Sequence, residues 1–159
     1  MESKTKITAE DSTQEIIITR EFDLPIELLF RAYTEAEFVE QWMGVNVLKM
    51  ENKTHGSYEF EAEDEQGKVV FRANGVIHKI VPPHQTIIRT IEMDDSEFPA
   101  QLEFLEFSEL PNGNSKITIH IICKSISYRD KMVQQPYFAE GNDQAHNSLQ
   151  EVMNNYKKK

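Results

Sequence analysis

From Ile16 to Phe22, Ile16, Ile18, Arg20 and Phe22 alternate with Ile17, Thr19 and Glu21 in a run rich in β-branched residues. That pattern predicts a strand. Asp23-Leu24-Pro25 ends it, and proline suits a first helical turn, where its missing N–H is not needed. Leu28, Leu29, Ala32 and Tyr33 then recur at helical spacing. Thr34, with Glu37 three residues on, reads as the N-cap and capping-box partner of a second short helix. Its apolar side carries Phe38, Val39 and Trp42, and Gly44 suits the left-handed position after its last turn.

After Gly44 the period changes to two. A short strand is predicted over Val47–Glu51. In Ser57–Asp64, Tyr58, Phe60 and Ala62 face one way and Glu59, Glu61 and Glu63 the other, as in an antiparallel strand with one wet face. Asp64-Glu65-Gln66-Gly67 is a turn. Lys68–Val81 is a long strand in which Gly75 marks a bulge or bend, and Pro82-Pro83 closes it. Thr86–Met93, an acidic loop over 94–99, and Gln101–Leu110 follow. Pro111-Asn112-Gly113-Asn114 is a hairpin turn before the last strand, Lys116–Lys124, where Ile117, Ile119 and Ile121 share a face. Tyr128–Gln134 reads as a short helical lead-in. From Pro136 onward, Phe138, Asn142, Ala145, Leu149, Val152, Met153 and Tyr156 recur at helical spacing over about six turns.

This order predicts an α+β protein. A curved antiparallel sheet of about six to seven strands wraps around a long C-terminal helix, with two short helices after the first strand. Residues 1–13 read as a flexible polar tail and 14–157 as a single domain. The segments ITREFDLP and LLFRAYTEAEFVEQWMG resemble the opening of the activator-of-heat-shock-protein-90-ATPase-like family, within the START-like, birch-allergen-like superfamily. The resemblance runs from about Gln14 to about Tyr156 and implies the helix-grip fold. Two positions depart from the family's habit: Trp42-Met43 stands where two tryptophans are frequent, and Gln144 where a glycine often precedes the pair matching Ser148-Leu149. Both bear on the cavity wall rather than on the fold.

With 159 residues and 39% apolar content, the chain can build one real core. No run approaches the roughly 20 apolar residues that span a bilayer, and the polar N-terminus has no apolar segment of a signal peptide. A single cysteine, Cys123, allows no internal disulfide and fits a reducing cytoplasm. A net charge of −10 argues against nucleic acid as a partner. The terminal Lys157-Lys158-Lys159 reads as a solubilising helix end.

Chemistry is sparse. The five histidines, His55, His78, His84, His120 and His146, show no metal-ligand spacing, so neither a metal nor a cofactor is expected. There is no GxSxG elbow, no phosphate-binding glycine loop, and no carboxylate pair that stands out from an acidic surface. His146 lies beside Ala145 on the long helix, where it either borders a cavity or sits on the helix flank. Arg72 and Arg89 lie within apolar strands. Arg89, between Ile87 and Ile91, either points into a pocket, where it needs a partner, or forms a cross-strand ion pair on the outer face.

The candidate cavity lining is therefore mostly apolar. Trp42 and Met43 come from the second short helix, Tyr58, Phe60, Phe71 and Phe104 from the strands, and Phe138, Leu149 and Met153 from the long helix. Phe107 and Tyr137 join the same aromatic set, with Arg89 and His146 as polar members. The alternative is that these side chains fill a solid core. Three functions are ranked: binding of a hydrophobic or amphipathic small molecule (a lipid among them), then a chaperone-ATPase-activating interaction linked to stress response, then cyclase- or hydratase-type catalysis. The family name suggests the second, although this chain lacks the separate N-terminal domain that such activators carry.

Overall fold

The computed structural model describes residues 4–81, 86–94 and 97–158. The element order is β1 (Lys6–Thr8), β2 (Glu15–Phe22), α1 (Ile26–Thr34), α2 (Ala36–Met43), β3 (Asn46–Met50), β4 (Ser57–Glu63), β5 (Val69–Val81), β6 (Thr86–Met93), β7 (Gln101–Glu109), β8 (Ser115–Ile122), α3 (Ile126–Val133) and α4 (Phe138–Lys157). All strands join one antiparallel sheet in the order β1-β2-β8-β7-β6-β5-β4-β3. The sheet curls around α4, as the α+β helix-grip expectation requires.

Among the described residues the sheet has eight strands, against the expected six to seven or so. The extra one is β1, which lies in the stretch read as a flexible tail. Lys6, Ile7 and Thr8 pair with Thr19, Ile18 and Ile17, a contact too short to leave a periodic signal. At the opposite edge, β3 is also short and is bulged against β4 between Val47 and Lys49. The expected double proline, His84, Asp95 and Lys159 lie outside the described residues.

The helix boundary around Thr34 also differs from the capping-box reading. Thr34 closes α1, and its hydroxyl donates back to the Phe30 carbonyl at 2.9 Å. Glu35, in an extended conformation, is the hinge between α1 and α2, and it is tied to Arg31 by an ion pair. Gly44 does end α2 in the left-handed region, with φ 68°.

Inward-facing residues of β2, β4, β7 and β8 form the larger core with α1, α2 and the second half of α4. Phe22, Tyr58, Leu105 and Ile117 meet Leu29, Phe38, Leu149 and Met153 there. A smaller cluster of Ile16, Ile18, Ile121, Cys123 and Met132 closes the end near α3. The Cys123 thiol is buried, which pushes its pKa up.

Gly75 does not form the expected bulge, which falls between Ile77 and Lys79. Instead it makes room for a neighbour. Tyr58 lies opposite Gly75 in the β4–β5 pair and donates its hydroxyl to the Thr90 carbonyl at 2.7 Å. A Cβ at position 75 would stand 1.9 Å from that carbonyl and 2.6 Å from the Tyr58 hydroxyl. Gly75→Ala is therefore expected to cost about 3 kcal/mol, toward the upper end of overpacking effects. Urea unfolding of the variant measures this; an unchanged midpoint would contradict the close approach.

Candidate functional site

A cavity of about 260 Å³ lies between the concave face of the sheet and the first half of α4. Its origin is visible in the helix sequence. Positions that face the sheet at helical spacing are Asn142, Ala145, His146, Leu149 and Met153. Leu149 and Met153 are fully buried and fill the space beneath them. Asn142 and Ala145 are too short to reach the sheet, so a gap remains. Ile18, Ile91, Ile119 and Ile121 form the sheet side, and Val39, Trp42 and Met43 of α2 form one rim. Trp42 is held there by its indole N–H, which donates to the Ala32 carbonyl at 2.8 Å, and by edge-on contact with Tyr33. Met43 lines the cavity yet is 38% exposed, which places it at the mouth.

The wall also carries a polar group of residues. Arg89 and Glu103 are directly opposite each other on β6 and β7, and the guanidinium Nε donates to Glu103 Oε1 at 3.0 Å. Their side chains are only 18% and 10% exposed. Arg89 also lies over the Tyr58 ring, 5.3 Å from its centroid. Burial pushes the Tyr58 phenol up to about 12, against the pull of Arg89. Tyr33 is buried beside this pair, and its pKa too is driven upward, first by burial. Its hydroxyl has no hydrogen-bond partner among the described residues.

At the other end His146 is 3% exposed and packs edge-on against Phe22. Its Nδ1 is 2.6 Å from the Thr5 hydroxyl, which also receives Arg20 at 3.4 Å. Arginine can only donate, so the Thr5 oxygen accepts from it, and the direction of its bond with Nδ1 follows the imidazole tautomer. Arg20 further binds Asp143 at 3.2 Å and Asn147 at 2.7 Å. The Thr5 amide, at 3.0 Å, and the Arg20 charge hold the Asp143 carboxyl below its ordinary range despite some desolvation. Burial, aided by Arg20 and opposed by Asp143, lowers the His146 pKa from 6.5 to about 4. His146 is thus neutral at pH 7.

The sequence profile described as "Activator of Hsp90 ATPase homolog 1-like protein" matches residues 23–154. The chain belongs to this family. A Rhodobacter sphaeroides structure superposes with a TM-score of 0.82 at 17% identity, covering 94% of this chain and 97% of that one. A Mycobacterium smegmatis structure gives 0.80 at 16%, covering 94% and 96%. One from Staphylococcus epidermidis gives 0.79 at 22%, covering 94% of each. At such identities the likeness is one of fold. No functionally curated protein matches the sequence.

In this activator-homologue fold, five of the anticipated residues share the cavity: Trp42, Met43, Phe60, Arg89 and His146. Arg89 combines the two readings left open for it, since it faces inward and is a cross-strand ion pair. Tyr58 lies one layer behind, under Arg89. Leu149 and Met153 are core residues that bound the gap without lining it. Phe71 shares a face with its partner Ala62 but sits beyond the cavity, toward the β4–β5 turn. Phe138 packs on the smaller core cluster. Phe104 is on the convex face, beside His120, because Glu103 and Leu105 take the inward positions of β7. His120 itself pairs with Glu15 at 2.9 Å, and Arg72 is an exposed partner of Glu61. Beyond the apolar lining of Ile18, Val39, Ile91, Ile119, Ile121 and Ala145, the candidate set lacked three polar wall residues, Glu103, Tyr33 and Asn142. Helical spacing placed Tyr33 and Asn142 on inward faces, whereas no local signal marked Glu103.

No group of three or more metal-binding side chains is gathered among the described residues. No described helix is long and apolar enough to cross a membrane.

Two expectations follow. The His146 pKa is 6.5 unfolded and about 4 folded, so its contribution is complete above pH 6.5 and is lost as pH falls toward 4. Stability should drop by about 3 kcal/mol across that window, and His146→Gln should flatten the profile there, as measured by denaturant unfolding against pH. Tyr33→Phe removes an unpaired buried hydroxyl and should stabilise the ligand-free protein by about 1 kcal/mol. A comparable loss in the same assay would show that the hydroxyl has a partner.

Proposed function

We propose that the protein binds an apolar or amphipathic small molecule in the cavity between the sheet and α4. The observation that supports this most directly is the mismatch between a fully packed second half of α4 and an unfilled first half. A gap lined by four isoleucines, Val39 and Trp42 is costly to leave empty and apolar enough to favour a ligand. Its volume of about 260 Å³ lies just below the usual range for drug-sized ligands, about 300–1,000 Å³. The occupant is therefore small, and an extended two-chain lipid would not fit inside. Trp42 at the rim supplies a local reporter. The polar members are mutually paired or neutral, which suits holding a ligand better than moving protons.

The test is titration with a panel of small hydrophobic compounds, followed by Trp42 fluorescence and by amide shifts of Ile91, Ile119 and Ala145. Saturable changes confined to the cavity are expected. Ala145→Phe, which fills the gap from the helix side, should abolish them without loss of fold. Binding that survives this substitution would place the ligand elsewhere.

A further inference from the structure

Building on the cavity reading, we infer that the ligand is an uncharged molecule bearing a single carbonyl or hydroxyl group, which accepts a hydrogen bond from Tyr33. The selectivity comes from how charge is disposed around the polar end. Arg89 is the cation in the lining, and Glu103 already neutralises it at 3.0 Å. A ligand carboxylate reaching Arg89 would meet the Glu103 carboxylate as well. It would be desolvated with no net positive charge to offset that cost. His146 adds no charge at pH 7, and the chain's net charge of −10 disfavours approach of an anion.

What the site does lack is ordinary hydrogen bonds. The Tyr33 hydroxyl is buried, close enough to Arg89 and Glu103 to feel both charges, and without a partner among the described residues. A protonated phenol can donate to an acceptor, and the neighbouring Glu103 carboxylate disfavours one that carries negative charge. Two rungs further along the sheet, Gln101 pairs with Ile91 of the cavity wall. Its Nε2 donates to Glu103 Oε2 at 3.2 Å, and its buried Oε1 has no partner among the described residues. One orphan donor and one orphan acceptor thus flank an internally neutral ion pair. Buried polar atoms of this kind are normally satisfied, and a ligand oxygen would satisfy the first once a shift of the Tyr33 ring turns its sealed hydroxyl to the cavity that the residue lines. Neither orphan calls for a charge.

Three probes of one shape separate the terms: acetylnaphthalene, naphthoate and ethylnaphthalene, substituted at the same ring position. Each is titrated into wild-type protein and into Tyr33→Phe, with cavity amide and methyl shifts as the readout. The ketone is expected to bind at least about tenfold more tightly than the carboxylate. The ketone-to-hydrocarbon affinity ratio should fall about fivefold in Tyr33→Phe, the equivalent of one neutral hydrogen bond. A carboxylate that binds as well as the ketone overturns the inference, as does a ratio unchanged by the substitution. If the hydrocarbon binds and the ketone gains nothing from Tyr33, the cavity reading stands and this refinement fails. If none of the three perturbs the cavity, both fail.

Discussion

A single long helix has to cover the concave face of an eight-stranded sheet, and the rest of the molecule follows from how it does so. Curling the sheet brings the inward side chains of β2, β4, β7 and β8 close enough to α4 for one row of helical residues to serve them all. Where that row is Leu149 and Met153, the two surfaces interlock and solvent is excluded. Where it is Asn142 and Ala145, they do not meet. The cavity is the geometric remainder of a helix whose inward side chains taper from Met153 and Leu149 to Ala145 and Asn142. The two short helices are needed because the taper would otherwise open the sheet to water. Trp42 and Val39 close most of that side, and the left-handed turn at Gly44 sends the chain back into β3.

Arg20, Arg89 and His146 inside this shell are each held by a partner on another element. Arg20 on β2 is gripped by Asp143 and Asn147 of α4, and Thr5 ties His146 to the N-terminal segment. Arg89 is matched by Glu103 across one strand pair. These contacts add direction to a core that is otherwise greasy. They hold α4 at one rotational setting over the sheet, so the tapered half stays above the same strands. Their value is in specificity of packing more than in net stabilisation, because buried charges recover little beyond their desolvation cost.

Most of the architecture was legible because alternation and helical spacing are local. Glu59, Glu61 and Glu63 opposite Tyr58, Phe60 and Ala62 reveal which face of β4 is wet. The spacing from Asn142 to Met153 reveals the buried stripe of α4. Legibility failed where the pattern lost its phase or where a partner was remote. In β7, Leu102 and Phe104 lie on one face and Leu105 and Phe107 on the other, so hydrophobicity alone could not tell that Phe104 points outward. Nothing local marks Glu103, and only the β6–β7 register sets it opposite Arg89. Thr5 and His146 are 141 residues apart, and nothing near either announces the other. Thr34 was misread by a single residue, because a threonine hydroxyl can cap the next helix or bond back to its own.

An open sheet has two rims of unpaired backbone groups, and each is a template on which another copy could extend it. Here β1 is three residues long and carries Lys6, while β3 is five residues long, carries Lys49 and is bent by its bulge. Neither rim offers the long, flat, uncharged ladder that strand-by-strand growth requires. The irregularities that look like imperfect edges thus work against polymerisation. They let a fold with an unclosed sheet and a partly unfilled interior remain a discrete particle.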